Sequence, residues 1–489
     1  MVPIRKPKSK MPSIIKNTSA LLAAHLVSRA LAFGLLIFLP RYFPKEDIGA
    51  YLWVVAFTSM MSVFIRLGMR SPLIREIAIA PSKAQSYISN ALIIRIFLSF
   101  IIFAGMVGIV NLLDFPSQTV LMVYIIGLAE ILNSIAQLFW CVFRAYEEMK
   151  FEALAVITER AFVFLVGGGL VISGCKLLTF CKIILLAGGV NLCLSFGIMI
   201  RRFTNLSFKL KLSVWKNLLA QSLPFALGGI FNLIYFRIAS VILPKLSSYH
   251  ETAVAWYGLA YGVISLTILI PGAFMGAVFP VMSRAFDEQR WHLSKSPENV
   301  SLFQQLYTHS FKLMFILALP IALGISLLAK DIAALWPREY QPMSDALNLL
   351  SWAGGLIFIN TVLQTVLRTA DKRSAFTTLT GTRLVFNVLL NLYLMPRRHH
   401  QGAAIAMLLT EIYLFIVGFR YVSKNLAKPY RLNFVIKSAL AGLGMGVLLF
   451  LLRGKVPFFL LMPIAGLAYI GVMVLWHELS WSDIIKIGG

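Results

Sequence analysis

Residues 21–40 read LLAAHLVSRALAFGLLIFLP. The stretch holds no acid, and no proline until its last position. At about 1.5 Å per helical residue it covers the ~30 Å hydrocarbon core of a bilayer. It predicts a transmembrane helix with a charge at its middle. Arg29 stands there, with His25 one turn earlier on the same face and Ser28 beside them. A charge at the bilayer centre costs about 2.5–3.5 kcal/mol on insertion scales. Arg95 and Arg383 repeat the pattern deep inside other apolar stretches. Such arginines either pair with carboxylates that lock helices together or face water or an anionic ligand. The second alternative implies a cationic interior, suited to moving an anion.

Working outward, the whole chain has the same character. Its 489 residues are 59% hydrophobic and 13% charged, with a mean hydropathy of +0.81. Soluble domains carry about 25% charged residues. The expected fold class is therefore an all-α polytopic membrane protein. Apolar runs predict 14 spans, at 18–39, 50–68, 86–110, 119–141, 153–172, 177–200, 218–243, 253–282, 306–328, 346–367, 375–394, 403–421, 435–452 and 458–475. No loop is long enough to fold as a domain. A net charge of +25 would suggest nucleic acid in a soluble protein. Here the basic residues collect in the N-terminal segment (Arg5, Lys6, Lys8, Lys10, Lys16), alternate loops and the tail, more than twice as many as in the opposite loops. The positive-inside rule then puts both termini in the cytoplasm, with the first helix retained, and nucleic acid is not an expected partner. The basic segment 201–217 reads as a linker between spans 1–6 (1–200) and spans 7–12 (218–421). Residues 422–489 add spans 13 and 14 and a cytoplasmic tail.

Several further residues invite chemistry. Glu130 and Glu411 lie near span centres, where a carboxylate either neutralises an arginine such as Arg29 or Arg383 or binds a proton or sodium. Glu159 and Arg160 are neighbours in span 5, about 100° apart on the helix. Arg237 lies toward the outer end of span 7, lining a vestibule or snorkelling. Lys182, Lys312 and Lys437 snorkel from helix ends. Pro224, Pro271 and Pro280, with Gly228 and Gly229, interrupt spans 7 and 8. The four cysteines (Cys141, Cys175, Cys181, Cys193) show no metal spacing and read as small apolar side chains. There is no Walker loop and no catalytic constellation, so no cofactor, metal or enzyme activity is expected. Energy then comes from a Na+ or H+ gradient, the membrane potential, or consumption of product on the far side.

Several segments resemble the Wzx-like polysaccharide flippases of the MOP superfamily. These are RYFP (41–44) with IGAY (48–51), FWCVFRAYEEMK (139–150) leading to Glu159-Arg160, SLPF (222–225) with YFRI (235–238), YGLAY (257–261), FPVMSR (279–284), NVLLN (387–391), and GAAIA (402–406) with Glu411. Their order and spacing cover about residues 15–425. The resemblance implies a MATE-like fold of 14 transmembrane helices, with two six-helix lobes in a V shape plus two C-terminal helices. It also implies export of an undecaprenyl-diphosphate-linked oligosaccharide from the cytoplasmic to the outer leaflet, by alternating access through a cationic central cavity of a bacterial inner-membrane protein. Arg29, His25, Arg95, Arg383 and Arg237 are then the candidate substrate-binding residues, because guanidinium grips phosphate oxygens in a fork. Glu130, Glu411 and Glu159 are the ion-coupling or charge-pairing candidates. Membrane lipids and the glycan polymerase machinery are the partners expected of a monomer. Ala239 departs from the aspartate that often follows Arg-Ile in such proteins. A multidrug exporter and a lipid II flippase of the same superfamily are the alternatives. A glycan polymerase or ligase would need a larger outer loop.

Overall fold

A computed structural model describes residues 11–206, 210–292, 301–430 and 432–478, without the side chains of 11–19, 223–226 and 289–292. Arg5, Lys6, Lys8 and Lys10 of the basic N-terminal segment, part of the 201–217 linker and the end of the tail lie outside the described residues. So do the side chains of Lys16 and Pro224. Among the described residues every element longer than an isolated bridge is helical, and 13 helices are long and apolar enough to cross a membrane. The chain is a multi-pass membrane protein. Its surface is inverted relative to a soluble domain: Phe100, Leu112, Phe450 and Leu475 are all exposed, as lipid-facing side chains are, whereas water would drive them inward.

The chain divides into two compact units, 1–242 and 243–489. The first holds α1 (Met11–Phe38), α2 (Lys45–Arg66), α3 (Arg70–Ile79), α4 (Ala84–Leu112), α5 (Ser117–Ala145), α6 (Lys150–Phe162), α7 (Gly168–Ile172), α8 (Leu177–Arg202) and most of α9 (Leu212–Leu246). The second holds α10 (His250–Thr267), α11 (Leu269–His292), α12 (Leu302–Leu327), α13 (Ala329–Ala333), α14 (Met343–Thr369), α15 (Arg373–Asn425), α16 (Asn433–Leu452) and α17 (Phe458–Leu475). Sequence patterning set the seam at 201–217, whereas the units part inside α9. The physical reason is that the start of α9 is tied to unit 1. Asn90 Oδ1 accepts from the Lys211 backbone N–H (2.9 Å) and from Trp215 Nε1 (3.0 Å), and Gln221 Nε2 donates to Glu76 (3.3 Å).

Local chemistry explains the helix limits. Pro44, Pro116 and Pro457 precede α2, α5 and α17, where a missing N–H costs nothing. Glu46 and Asp47 sit in the first turn of α2 and favour its positive end. Leu67 (φ 39°) and Gly68 (φ 65°) take left-handed conformations and separate α2 from α3. Pro271 cannot donate to the Thr267 carbonyl, and α10 ends at that residue, so the predicted single span 253–282 becomes two helices. α15 runs for 53 residues, about two bilayer crossings, and is broken at His399 (φ 51°, ψ −127°), three residues after Pro396. Spans 11 and 12 of the sequence reading both fall within it.

Candidate functional site

Unit 1 gathers basic side chains from five helices. α1 packs through Leu21 and Ala24 against Ala153 and Met149 at the start of α6. That leaves His25 and Arg29 exposed. His25 lies within electrostatic range of Arg29 on its own helix, Arg70 at the start of α3, and Arg144 and Glu152, which flank the connection between α5 and α6. Glu152 is buried (1% exposed) and organises the group. Arg144 grips it with Nε on Oε2 (2.6 Å) and Nη2 on Oε1 (2.8 Å), and Arg70 Nη2 reaches Oε1 at 3.2 Å. The bidentate grip fixes Arg144, while the Arg70 side chain remains 51% exposed.

The basic row continues inward. Arg70 senses Arg66, and Arg95 senses both. Arg66 donates to Ser62 and faces Glu130 at 3.4 Å. Arg95 is buried on α4, donates to the Ser134 carbonyl, and makes no ion pair among the described residues. Among the described residues, Arg66, Arg70 and Arg144 hold two carboxylates, Glu130 and Glu152, and Arg29 and Arg95 stand in the same row. The excess positive charge sits where Arg29, Arg70 and His25 are accessible. Such an arrangement attracts an anion and can hold it by forked N–H donors.

The sequence-derived candidates separate into groups. Arg29 and His25 belong to this row as exposed side chains. Arg95 is enclosed and acts on it only through its charge. Arg383 on α15 lies in unit 2, is 1% exposed, and is ion-paired with the buried Glu411. The helix-locking alternative describes that residue. Asn360 Nδ2 on α14 completes the pair, donating to Glu411 Oε2 (2.7 Å) and to its carbonyl (3.0 Å). Arg237 is half-buried on α9 near the buried Ala239, with no ion pair among the described residues. Glu130 pairs with Arg66, not with Arg29 or Arg383. Glu159 is buried between two asparagines, and Arg160 is exposed. Lys312 and Lys437 do more than snorkel: both grip Glu478, at 2.6 and 2.7 Å, and staple α12 and α16 to the end of α17.

Sequence reasoning missed Arg66, Arg70, Arg144 and Glu152. All four lie at span ends, where a basic residue is ordinarily read as a loop charge. The signal that could have found them was the stretch FWCVFRAYEEMKFE (139–152): an arginine eight residues ahead of a glutamate, across a short turn, on adjoining helix ends.

Comparison with known proteins agrees with this architecture. The polysaccharide biosynthesis protein family matches residues 14–286, and the MatE family matches residues 224–393. The capsular polysaccharide biosynthesis protein CapF of Staphylococcus aureus is 20% identical over 421 residues, 84% of this chain and 100% of CapF. Among solved structures, the lipid II flippase MurJ in an inward closed conformation superposes with a TM-score of 0.74 at 13% identity, covering 95% of this chain and 99% of MurJ. An inward-facing multidrug resistance MATE family transporter of the MOP superfamily gives 0.64 at 16%, covering 82% and 96%. The chain belongs to the polysaccharide biosynthesis protein family and has the fold of the MOP-superfamily transporters.

Proposed function

We propose that this transporter flips a polyprenyl-diphosphate-linked oligosaccharide, of the undecaprenyl type, from the cytoplasmic to the outer leaflet of a bacterial inner membrane by alternating access. The observation that carries the reading is the arginine row of unit 1, with Arg29, Arg70 and His25 accessible around the Glu152–Arg144 clamp. A diphosphate offers several anionic oxygens. Each unit charge about 4 Å from a guanidinium gains about 4 kcal/mol at an effective dielectric of 20. The clamp holds Arg144 and Arg70 in place before the ligand arrives, which lowers the ordering cost of binding. A cationic drug would be repelled by the same charges. A lipid II-type ligand carries the same diphosphate, so the glycan assay below separates the two. Counting α15 as two spans gives 14, with both termini cytoplasmic, and a monomer that meets glycan polymerase machinery in a lipid surround.

Complementation of glycan export in a strain lacking its own flippase, read alongside membrane abundance, tests the proposal. Arg29→Ala abolishes export at normal abundance, and Arg29→Lys restores only part of it, because an ammonium lacks the fork. Arg70→Ala weakens export in the same way. Normal export by Arg29→Ala at normal abundance refutes the reading.

A further inference from the structure

Unit 2 holds a cavity of about 490 Å³ where the end of α12 and the short α13 meet the turn between α16 and α17. All the residues that line it lie between 328 and 461, inside that unit. The turn is tightly built. Gly454 takes a left-handed φ of 80°, and the Lys455 and Val456 N–H groups both return to the Leu452 carbonyl, at 3.0 and 3.2 Å. Arg453 and Lys455, on either side of the glycine, are thereby both brought to the cavity. Arg453 Nη2 meets Asp331 Oδ2 at 2.8 Å. Lys455 is exposed and makes no ion pair among the described residues. The rest of the wall is apolar, with Leu335, Phe458 and Leu461 along it.

Charge and apolarity together define what fits. Two cations and one carboxylate leave a surplus of one positive charge at the cavity. A phosphodiester carries one negative charge and neutralises that surplus. Guanidinium and ammonium both bind phosphate oxygens, the first as a fork and the second as a point charge. A headgroup that brings its own ammonium leaves the surplus standing. The apolar wall asks for more than a phosphate. It adjoins helix surfaces that lipid covers, for Phe450 and Leu451 on α16 and Phe459 and Leu460 on α17 are all exposed. The cavity also lies at helix ends, the level at which a bilayer passes from hydrocarbon to headgroups. Snorkelling carries basic side chains to that level. It accounts neither for two of them meeting at one cavity nor for the apolar wall beneath them. Under the proposed topology this end of α12, α16 and α17 faces outward, where basic residues are scarce.

We propose that this cavity binds one anionic glycerophospholipid, its phosphodiester on Arg453 and Lys455 and an acyl chain along Leu335, Phe458 and Leu461. The lipid ties the α16–α17 pair to the end of α12, alongside the Arg453–Asp331 bridge. Placing it in the outer leaflet rests on the proposed topology. Binding itself depends neither on that topology nor on which anion the arginine row of unit 1 holds.

Thermal unfolding of the purified full-length protein in neutral detergent tests it, with dioleoyl phosphatidylglycerol, phosphatidylethanolamine, phosphatidylcholine or sodium phosphate added. Phosphatidylglycerol raises the wild-type midpoint by roughly 2–4 °C over phosphatidylcholine. Phosphatidylethanolamine and sodium phosphate do not. Arg453→Gln with Lys455→Gln removes most of that increment. Ala334→Trp, which fills the cavity and keeps its charges, removes it too. Arg201→Gln with Arg202→Gln keeps it, which separates this site from general attraction of anionic lipid to a basic protein. Arg29→Ala also keeps it, so failure of the flippase reading leaves the test intact. An increment retained in both cavity variants, or none in the wild type, overturns the proposal. An equal response to sodium phosphate makes the ligand a free anion, and an equal response to phosphatidylethanolamine breaks the charge count; either overturns it as well. Should the double variant fail to purify, native mass spectrometry compares the wild type with Lys455→Gln and Ala334→Trp. One phosphatidylglycerol stays on the wild type and is lost from both variants, and its retention by both overturns the proposal equally.

Discussion

Replacing Arg383 by alanine removes the guanidinium from a carboxylate that is 0% exposed. Glu411 keeps its hydrogen bond from Asn360 Nδ2 at 2.7 Å but loses the guanidinium that neutralises it. Removing one member of a buried pair costs about 3–5 kcal/mol, because the charge left behind is uncompensated. For a unit the size of 243–489, each kcal/mol moves the midpoint by about 2–4 °C. The expected fall is therefore roughly 6–20 °C. Removing both charges tells more. Arg383→Met with Glu411→Gln leaves no ion behind and keeps an acceptor for Asn360, so most of the loss returns. Fluorescence-detected size-exclusion after graded heating of detergent extracts measures both, and glycan export is scored on the same strains. A substrate-contact role for Arg383 predicts the reverse, with normal thermal stability, lost export and no rescue by the second substitution. A fall of under 2 °C for Arg383→Ala, with no recovery in the double variant, refutes the reasoning.

Three further outcomes follow from other contacts. Burial alone would raise the Glu478 carboxyl, but Lys312 and Lys437 outweigh it and hold the group below its ordinary 4.5. A depressed carboxylate stabilises fully above that ordinary value and loses its contribution as pH falls through its folded value. Glu478→Gln therefore lowers the unfolding midpoint at neutral pH, and the difference from wild type shrinks on acidification below 4.5; a constant difference down to the acid limit counts against the staple. Gly402→Ala sets a Cβ 2.5 Å from the Leu394 carbonyl oxygen and 2.7 Å from its carbon. Backbone cannot give way there as a flexible side chain can, so membrane abundance drops, and normal levels would show that the turn at His399 relaxes freely. Reporter fusions after residues 39, 110 and 394 read as extracytoplasmic, and a cytoplasmic signal at two of them sinks the proposed topology.

Much of this molecule is legible in one dimension. Partitioning a stretch such as 21–40 into lipid is a local, nearly additive property of about twenty side chains, so composition alone placed most spans. Proline limits are equally local: Pro271 withholds one N–H from Thr267, and the break falls there. The motifs from RYFP (41–44) to GAAIA (402–406) are likewise read directly along the chain. Pairing is a different quantity. Each residue turns a helix by about 100°, and partners 28 to 82 positions apart, such as Arg383 with Glu411 or Arg70 with Glu152, meet only when two helices settle at one rotation and one depth. The sequence therefore left Glu130 and Glu411 open between several arginines. Packing matched them to Arg66 and Arg383, collected Arg70 and Arg144 on Glu152 from span ends that looked like loop charges, and left Glu159 between two asparagines, with no cation among the described residues. Hydropathy determined which segments enter the membrane; helix rotation decided which charges are neutralised there and which remain to act.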